Sequence, residues 1–189
     1  MAEAPSLAPA GTDHGIDFDP TVDRIRVTTV NGLNLRLHPE TGAVVDGDAN
    51  AAGIQFDGKL GYADGDAHAG RPASVVAVGY TYNKTDEKLT TNFAIDAAQG
   101  TLAVQGSREG ASPVVSPNTG RLSTVGSLGI DRFERGSFDI ADVTGNVYLA
   151  AGAASGPTRW YQIDLGTGRA RLIGTMGADD AVRGIAIEP

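Results

Sequence analysis

The amino-acid sequence predicts an all-β chain of β-propeller-like repeats. The expected form is about three antiparallel four-stranded blades plus one extra strand, set as a partial ring or open arc. Three observations predict it. A strand–turn–strand phrase occurs four times, first as Asn34-Leu-Arg-Leu-His-Pro-Glu-Thr41-Gly42-Ala-Val-Val45. It returns around Gln99-Gly100, Thr119-Gly120 and Thr167-Gly168. A shorter phrase, small–apolar–short polar–apolar, sits between the hairpins: Gly15-Ile-Asp17-Phe, Gly79-Tyr-Thr81-Tyr and Ser137-Phe-Asp139-Ile. Where the pattern is clearest, apolar and polar residues alternate with a period of two, as half-buried strands require.

Taken in order, residues 1–13 read as a disordered lead-in, followed by a single domain over 14–189. Residues 1–12 have neither a basic start nor an apolar run, so they do not read as a signal peptide. The first hairpin pairs Arg24–Thr29 with Leu33–His38. Ile25, Val27, Thr29, Leu33, Leu35 and Leu37 hold one face, and Arg24, Arg26, Thr28, Asn34, Arg36 and His38 hold the other. A two-residue Asn31-Gly32 loop would set apolar residues against polar ones. A three-residue loop, Val30-Asn31-Gly32 with Gly32 left-handed, keeps the faces in phase. That register sets Arg26 opposite Arg36, which calls for an acidic partner or a bound anion. Asp17, Asp19 and Asp23 are the nearest carboxylates in sequence.

Residues 46–73 form a Gly/Asp-rich excursion around one candidate strand, Ile54-Gln-Phe56. Asp46-Gly-Asp48 and Asp64-Gly-Asp66 lack the remaining oxygen ligands of a calcium loop and read as solvated turns. Farther on, the pattern predicts a strand at 113–116 ahead of Thr119-Gly120, another over Asn146–Ala150, and the last hairpin from Trp160. The C-terminal Gly184-Ile-Ala-Ile-Glu-Pro189 opens the short phrase again. Spacings between phrases of about 64 and 48 residues match the size of a propeller blade.

Composition narrows the classes. The chain has 189 residues, 41% hydrophobic and 20% charged, with 26 glycines to serve many turns. A formal net charge of −8 argues against DNA or RNA as a partner. With no cysteine, thiolate catalysis, disulfides and zinc–thiolate sites are excluded. No apolar run is long enough for a membrane span.

Several stretches together resemble one family. They are Gly15-Ile-Asp-Phe-Asp-Pro-Thr-Val-Asp-Arg-Ile-Arg-Val27, Asn34-Leu-Arg-Leu37, Tyr80-Thr81, Ser116-Pro-Asn-Thr-Gly120, Val125-Gly-Ser-Leu-Gly129 and Ser137-Phe-Asp-Ile140. The chain resembles the bacterial domain-of-unknown-function 4394 family from about residue 14 to its end. The resemblance implies a β-propeller that is extracellular or at the cell surface, and no reaction. Family members carry further repeat sequence upstream, so the chain is expected to be a fragment or shortened paralogue. The alternative is closure by another route.

Motifs for chemistry are sparse. His14, His38 and His68 show no metal spacing, and no nucleophile elbow or phosphate loop is present. Neither a metal, a cofactor nor a catalytic residue is predicted. The candidate binding residues are Asp17, Asp19, Thr81, Asn83 and Asp139, which fall in the inner-strand phrases, together with Arg26 and Arg36. Short oxygen-bearing side chains aimed at one axis could take a cation or a polyol. Alternatively, Asp17 and Asp139 cap backbone groups between neighbouring blades. Tyr80, Tyr82, Trp160 and Tyr161 are either a sugar platform or packing residues.

The function expected is a non-catalytic interaction module for an unknown protein or glycan. The alternative is a hydrolase with a carboxylate-lined channel, with or without a divalent cation. Self-association through unpaired blade edges is a further expectation, because the 184–189 strand and the Arg24/Arg26/Asn34/Arg36 face lack visible neighbours.

Overall fold

The computed structural model describes residues 13–176 and 182–187; the expected lead-in lies outside the described residues save for its last member, Asp13. The described residues form three sheets and one helical element, a single 3-10 turn at Pro117–Thr119. The first sheet is β1 (His14–Asp19), β2 (Arg24–Thr29) and β3 (Asn34–Leu37), in that order.

The second sheet runs β4–β8–β7–β6–β5, from β4 (Gly61–Tyr62), β5 (Val75–Tyr80), β6 (Asn92–Asp96), β7 (Thr101–Gln105) and β8 (Arg121–Ser127). The third runs β12–β11–β10–β9, from β9 (Arg135–Ile140), β10 (Val147–Gly152), β11 (Thr158–Ile163) and β12 (Ala170–Met176). All pairings are antiparallel except β4 with β8.

The first hairpin has the register that its alternation demands. Thr28 pairs with Asn34 and Arg26 with Arg36. Residues 30–32 make the loop, closed by a bond from Thr29 N–H to Leu33 O, with Gly32 at φ 83°. Only glycine adopts that angle without a Cβ clash. Gly42, Gly100 and Gly168 lie at turns with φ of 67°, 61° and 79°.

Three expectations are corrected. The sheets hold three, five and four strands instead of four each, because the fourth strand of the first unit shrinks to one bridge, Leu37 with Val44. Residues 54–56 form no strand; the excursion instead adds Gly61–Tyr62 to the edge of the second sheet. Residues 113–116 are not a strand either, so Thr119-Gly120 ends the 3-10 turn instead of joining a hairpin. Pro117 favours that turn, having no N–H to spend on a ladder. Asp64-Gly-Asp66 is the turn expected, exposed at Asp64 and Gly65, and it is anchored at its far end: both Asp66 oxygens accept from Thr124, one from its N–H and one from its hydroxyl, each at 2.7 Å.

The middle sheet is covered on both faces, and its strands β5, β6 and β7 are buried throughout. Phe93, Ile95, Leu102 and Val104 join Phe138, Ile140, Leu149, Tyr161 and Ile163 in an apolar core against the third sheet. Full burial of each such side chain contributes about 1.5–3 kcal/mol. On the opposite face Val75, Val78, Ala94, Ala103 and Leu122 form a smaller cluster with Leu60.

Strand β5 packs between β1 and β9 without pairing with either. The close approach explains a small residue in the short phrase: a Cβ on Gly79 would come within 2.8 Å of the Phe138 ring.

Candidate functional site

Two polar constellations arise where sheets meet. The first is built on Arg26, whose side chain is fully buried. β2 projects it between the first and second sheets. Its Nη1 donates to Asp57 Oδ2 at 2.7 Å and Asn34 Oδ1 at 2.9 Å. Nε donates to the Tyr80 hydroxyl at 3.1 Å, and Nη2 to Asn118 Oδ1 at 2.6 Å. Arg36, half-buried beside it, grips the same carboxylate through Nε and Nη2, both at 2.9 Å. One carboxylate thus serves two guanidinium groups, and its hydrogen bond holds Arg36 above the ordinary arginine range.

The acidic partner of the arginines is therefore Asp57, not Asp17, Asp19 or Asp23. Asp17 faces β5, Asp19 accepts from the Thr21 N–H and hydroxyl in the β1–β2 turn, and Asp23 sits in that turn with φ 54°. Asp57 escaped notice because it lies in a stretch with no periodicity. Asn118 carried a clearer signal, within Ser116-Pro-Asn-Thr-Gly120. The face bearing Arg26, Asn34 and Arg36 has a neighbour after all: it is the face packed on the second sheet.

The second constellation lies along the groove between β1, β5, β9 and residues 183–187. Asp17 Oδ2 accepts the Tyr80 N–H of β5 at 2.6 Å. Asp139 Oδ2 accepts the Ile187 N–H at 2.6 Å, and Ser137 Oγ accepts the Ile185 N–H at 2.9 Å. The short phrase of one unit thus uses its polar side chains to hold the free backbone edge of the next segment. Residues 182–187 take no named strand, yet stand toward β9 as β5 stands toward β1.

At one end of the groove Asp17, Asp139 and Asp142 line a cleft of about 120 Å³ with Phe18, Tyr80 and Ile187. Burial pushes the Asp17 carboxyl up to about 6, against the lowering effect of the Tyr80 N–H; Asp139 and Asp142 add like charge. At the other end β1, β5, β9 and residues 183–185 line a second cleft of about 200 Å³. Among the described residues, no group of three His, Cys, Asp or Glu side chains is set to hold a metal ion.

The structure brings Asp17 and Asp139 together, adds Asp142, and leaves the other candidates elsewhere. The Thr81 hydroxyl accepts the Thr91 N–H, and Asn83 Oδ1 accepts from Thr85 and Asp86 in the loop after β5. Both serve that loop. The aromatic candidates separate too: Tyr80 and Tyr161 are buried, Tyr82 is exposed, and Trp160 stacks on Tyr148 with centroids 5.4 Å apart.

A family model, the domain of unknown function DUF4394, matches residues 2–186, and the chain belongs to that family. A search of curated proteins finds no match.

Proposed function

We propose that this DUF4394 member is a non-catalytic, propeller-like interaction module. Its three sheets stand as successive blades about the groove lined by β1, β5 and β9, and residues 182–187 open a further one. The observation that carries this reading is the repeated clamp, Asp17 to the Tyr80 N–H and Asp139 to the Ile187 N–H. The inner carboxylates satisfy the amides of the next blade, as a stack of open-edged sheets needs. Such carboxylates are structural, which leaves recognition of a protein or glycan to the loops at the blade ends. Export or display at the cell surface belongs to the same proposal and follows from the family resemblance.

A second reading, the hydrolase with a carboxylate-lined channel, is favoured by one observation. Asp17 holds its proton to about pH 6 in a cleft it shares with Asp139 and Asp142, and a carboxyl that keeps its proton near neutral pH is a means of general acid catalysis. A panel of chromogenic glycosides and carboxylic esters, assayed across pH with and without calcium or magnesium, decides between them. The module should turn over none of them. Turnover with an inflection near pH 6 that disappears in Asp17→Asn would establish the hydrolase instead.

A further inference from the structure

The third sheet carries a cleft of its own, away from Asp17 and Asp139. The connection from β8 to β9 (128–134) and the β10–β11 loop (153–157) line a hollow of about 300 Å³. Ile130, Phe133, Ala153 and Pro157 give it apolar walls, and Arg132, Arg159, Asp131 and Ser155 supply polar groups. A largely apolar concavity of this volume, with a few polar groups, is the usual form of a small-ligand site.

Those polar groups select the ligand. Arg132 is exposed, and among the described residues its side chain joins no ion pair or hydrogen bond. Arg159 Nη1 donates to Asp131 Oδ2 at 2.6 Å, but the two side chains are 47% and 81% exposed. So open an ion pair contributes little, and a competing carboxylate can take the place of Asp131. A third guanidinium, that of Arg135, stands behind the wall at Gly152. Its Nε donates to Ala153 O at 2.7 Å, while its Nη2 is buried with no acceptor. A Cβ on Gly152 would lie 3.5 Å from that nitrogen. Against the three arginines, the acidic side chains that line this cleft and its neighbour are Asp131 and Glu134. This spot is therefore locally basic in a chain of formal charge −8.

We propose that this cleft binds a carboxylate borne on a compact apolar group. Arg132 and Arg159 hold the carboxylate, and the apolar group lies against Phe133 and Pro157. A guanidinium matches a carboxylate through two parallel N–H donors. One positive charge in excess suits a monoanion better than a phosphate dianion. The inference rests on the module reading, which leaves recognition to loops at the blade ends, and it supplies the chemistry recognised. Such a group has two sources, a free organic acid or the last residue of a peptide. The adjoining cleft of about 540 Å³ shares Arg132, Phe133 and Ala153 and gives a longer chain room to run.

Titration of the full chain, followed by amide nuclear magnetic resonance, tests it. Hydrocinnamate should shift the amides of residues 130–134 and 152–157, which border the cleft. Its uncharged amide, hydrocinnamide, should bind at least about ten-fold more weakly, having lost the charge-assisted pair. Arg132→Gln and, independently, Arg159→Gln should each weaken hydrocinnamate several-fold with unchanged circular dichroism, since both side chains are exposed. N-acetylglycyl-phenylalanine that binds more tightly than hydrocinnamate identifies a peptide terminus as the source; weaker binding identifies the free acid.

No shift at millimolar hydrocinnamate would overturn the proposal, as would affinity that survives both arginine substitutions. Equal binding of hydrocinnamide, glucuronate or inorganic phosphate would overturn it too. Failure of the module reading shows separately, as turnover in the hydrolase panel, and leaves these titrations intact.

Discussion

The two faces of the middle sheet are made by the same strands and held differently: one is apolar throughout, the other sets a small apolar cluster beside a charged layer. Along β6 and β7, Phe93, Ile95, Leu102 and Val104 point to the third sheet into a dry apolar core. The residues between them, Asn92, Ala94, Asp96, Thr101, Ala103 and Gln105, are small or polar and face the other way. There Gln105 Nε2 donates to Asn34 Oδ1 at 3.0 Å, and the Arg26–Asp57 pair fills the space. Sheet-on-sheet packing thus needs complementary faces more than apolar ones. The charged members Arg26, Arg36 and Asp57 are all paired, while Gln105 Oε1 and both side-chain amide atoms of Asn92 are buried without a hydrogen-bond partner, so this face depends on single residues in a way the apolar face does not.

The largest expected effect tests that dependence. Asp57→Ala leaves Arg26 buried and both arginines without their carboxylate, and should cost about 3–5 kcal/mol in urea unfolding. A loss below about 1 kcal/mol would mean the arginines find water or another acceptor, and that the polar face is looser than drawn. On the apolar face, Leu149→Ala should cost about 3 kcal/mol through its cavity, with no dependence on pH. A marked pH dependence there would show that the two faces are coupled.

The smallest effect concerns Asp17 and has the opposite sign. Its folded pKa of about 6 exceeds the ordinary aspartate value of 3.8. The folded state therefore binds the proton first, and the carboxyl lowers stability above pH 6. That penalty is relieved as pH falls from 6 toward 4. Asn keeps an acceptor for the Tyr80 N–H without the charge. Asp17→Asn should therefore stabilise by about 1–2 kcal/mol at pH 8, with no gain at pH 4. Melting curves of both proteins across that range check it; a destabilised variant at pH 8 would mean that the charge itself holds β5.

Local pattern reached some distance. Alternation in Arg24–His38 fixes the Arg26–Arg36 register, because a slip of one residue would turn every side chain to the wrong face. The recurrence of Gly15-Ile-Asp17 and Ser137-Phe-Asp139 pointed to equivalent strands, and both aspartates do bind a following backbone edge. The strand at 113–116 misled because a short apolar run reads alike whether it is a strand or a loop packed against one. Asp57 was out of reach: it lies 31 residues from Arg26, in a stretch without periodicity.

What the sequence by itself determined is local and periodic: that the clearly alternating segments are strands, where most turns fall, which side chains share a face, and that short phrases recur. These follow from backbone sterics and from the period of two, which act between near neighbours. Only the tertiary structure decided which carboxylate meets the arginines, that Asn118 joins them from 92 residues away, and that the arginine face is packed while Ile16 and Phe18 stand exposed. Burial and charge pairing are properties of surfaces that meet in space. No local pattern encodes which surfaces those are.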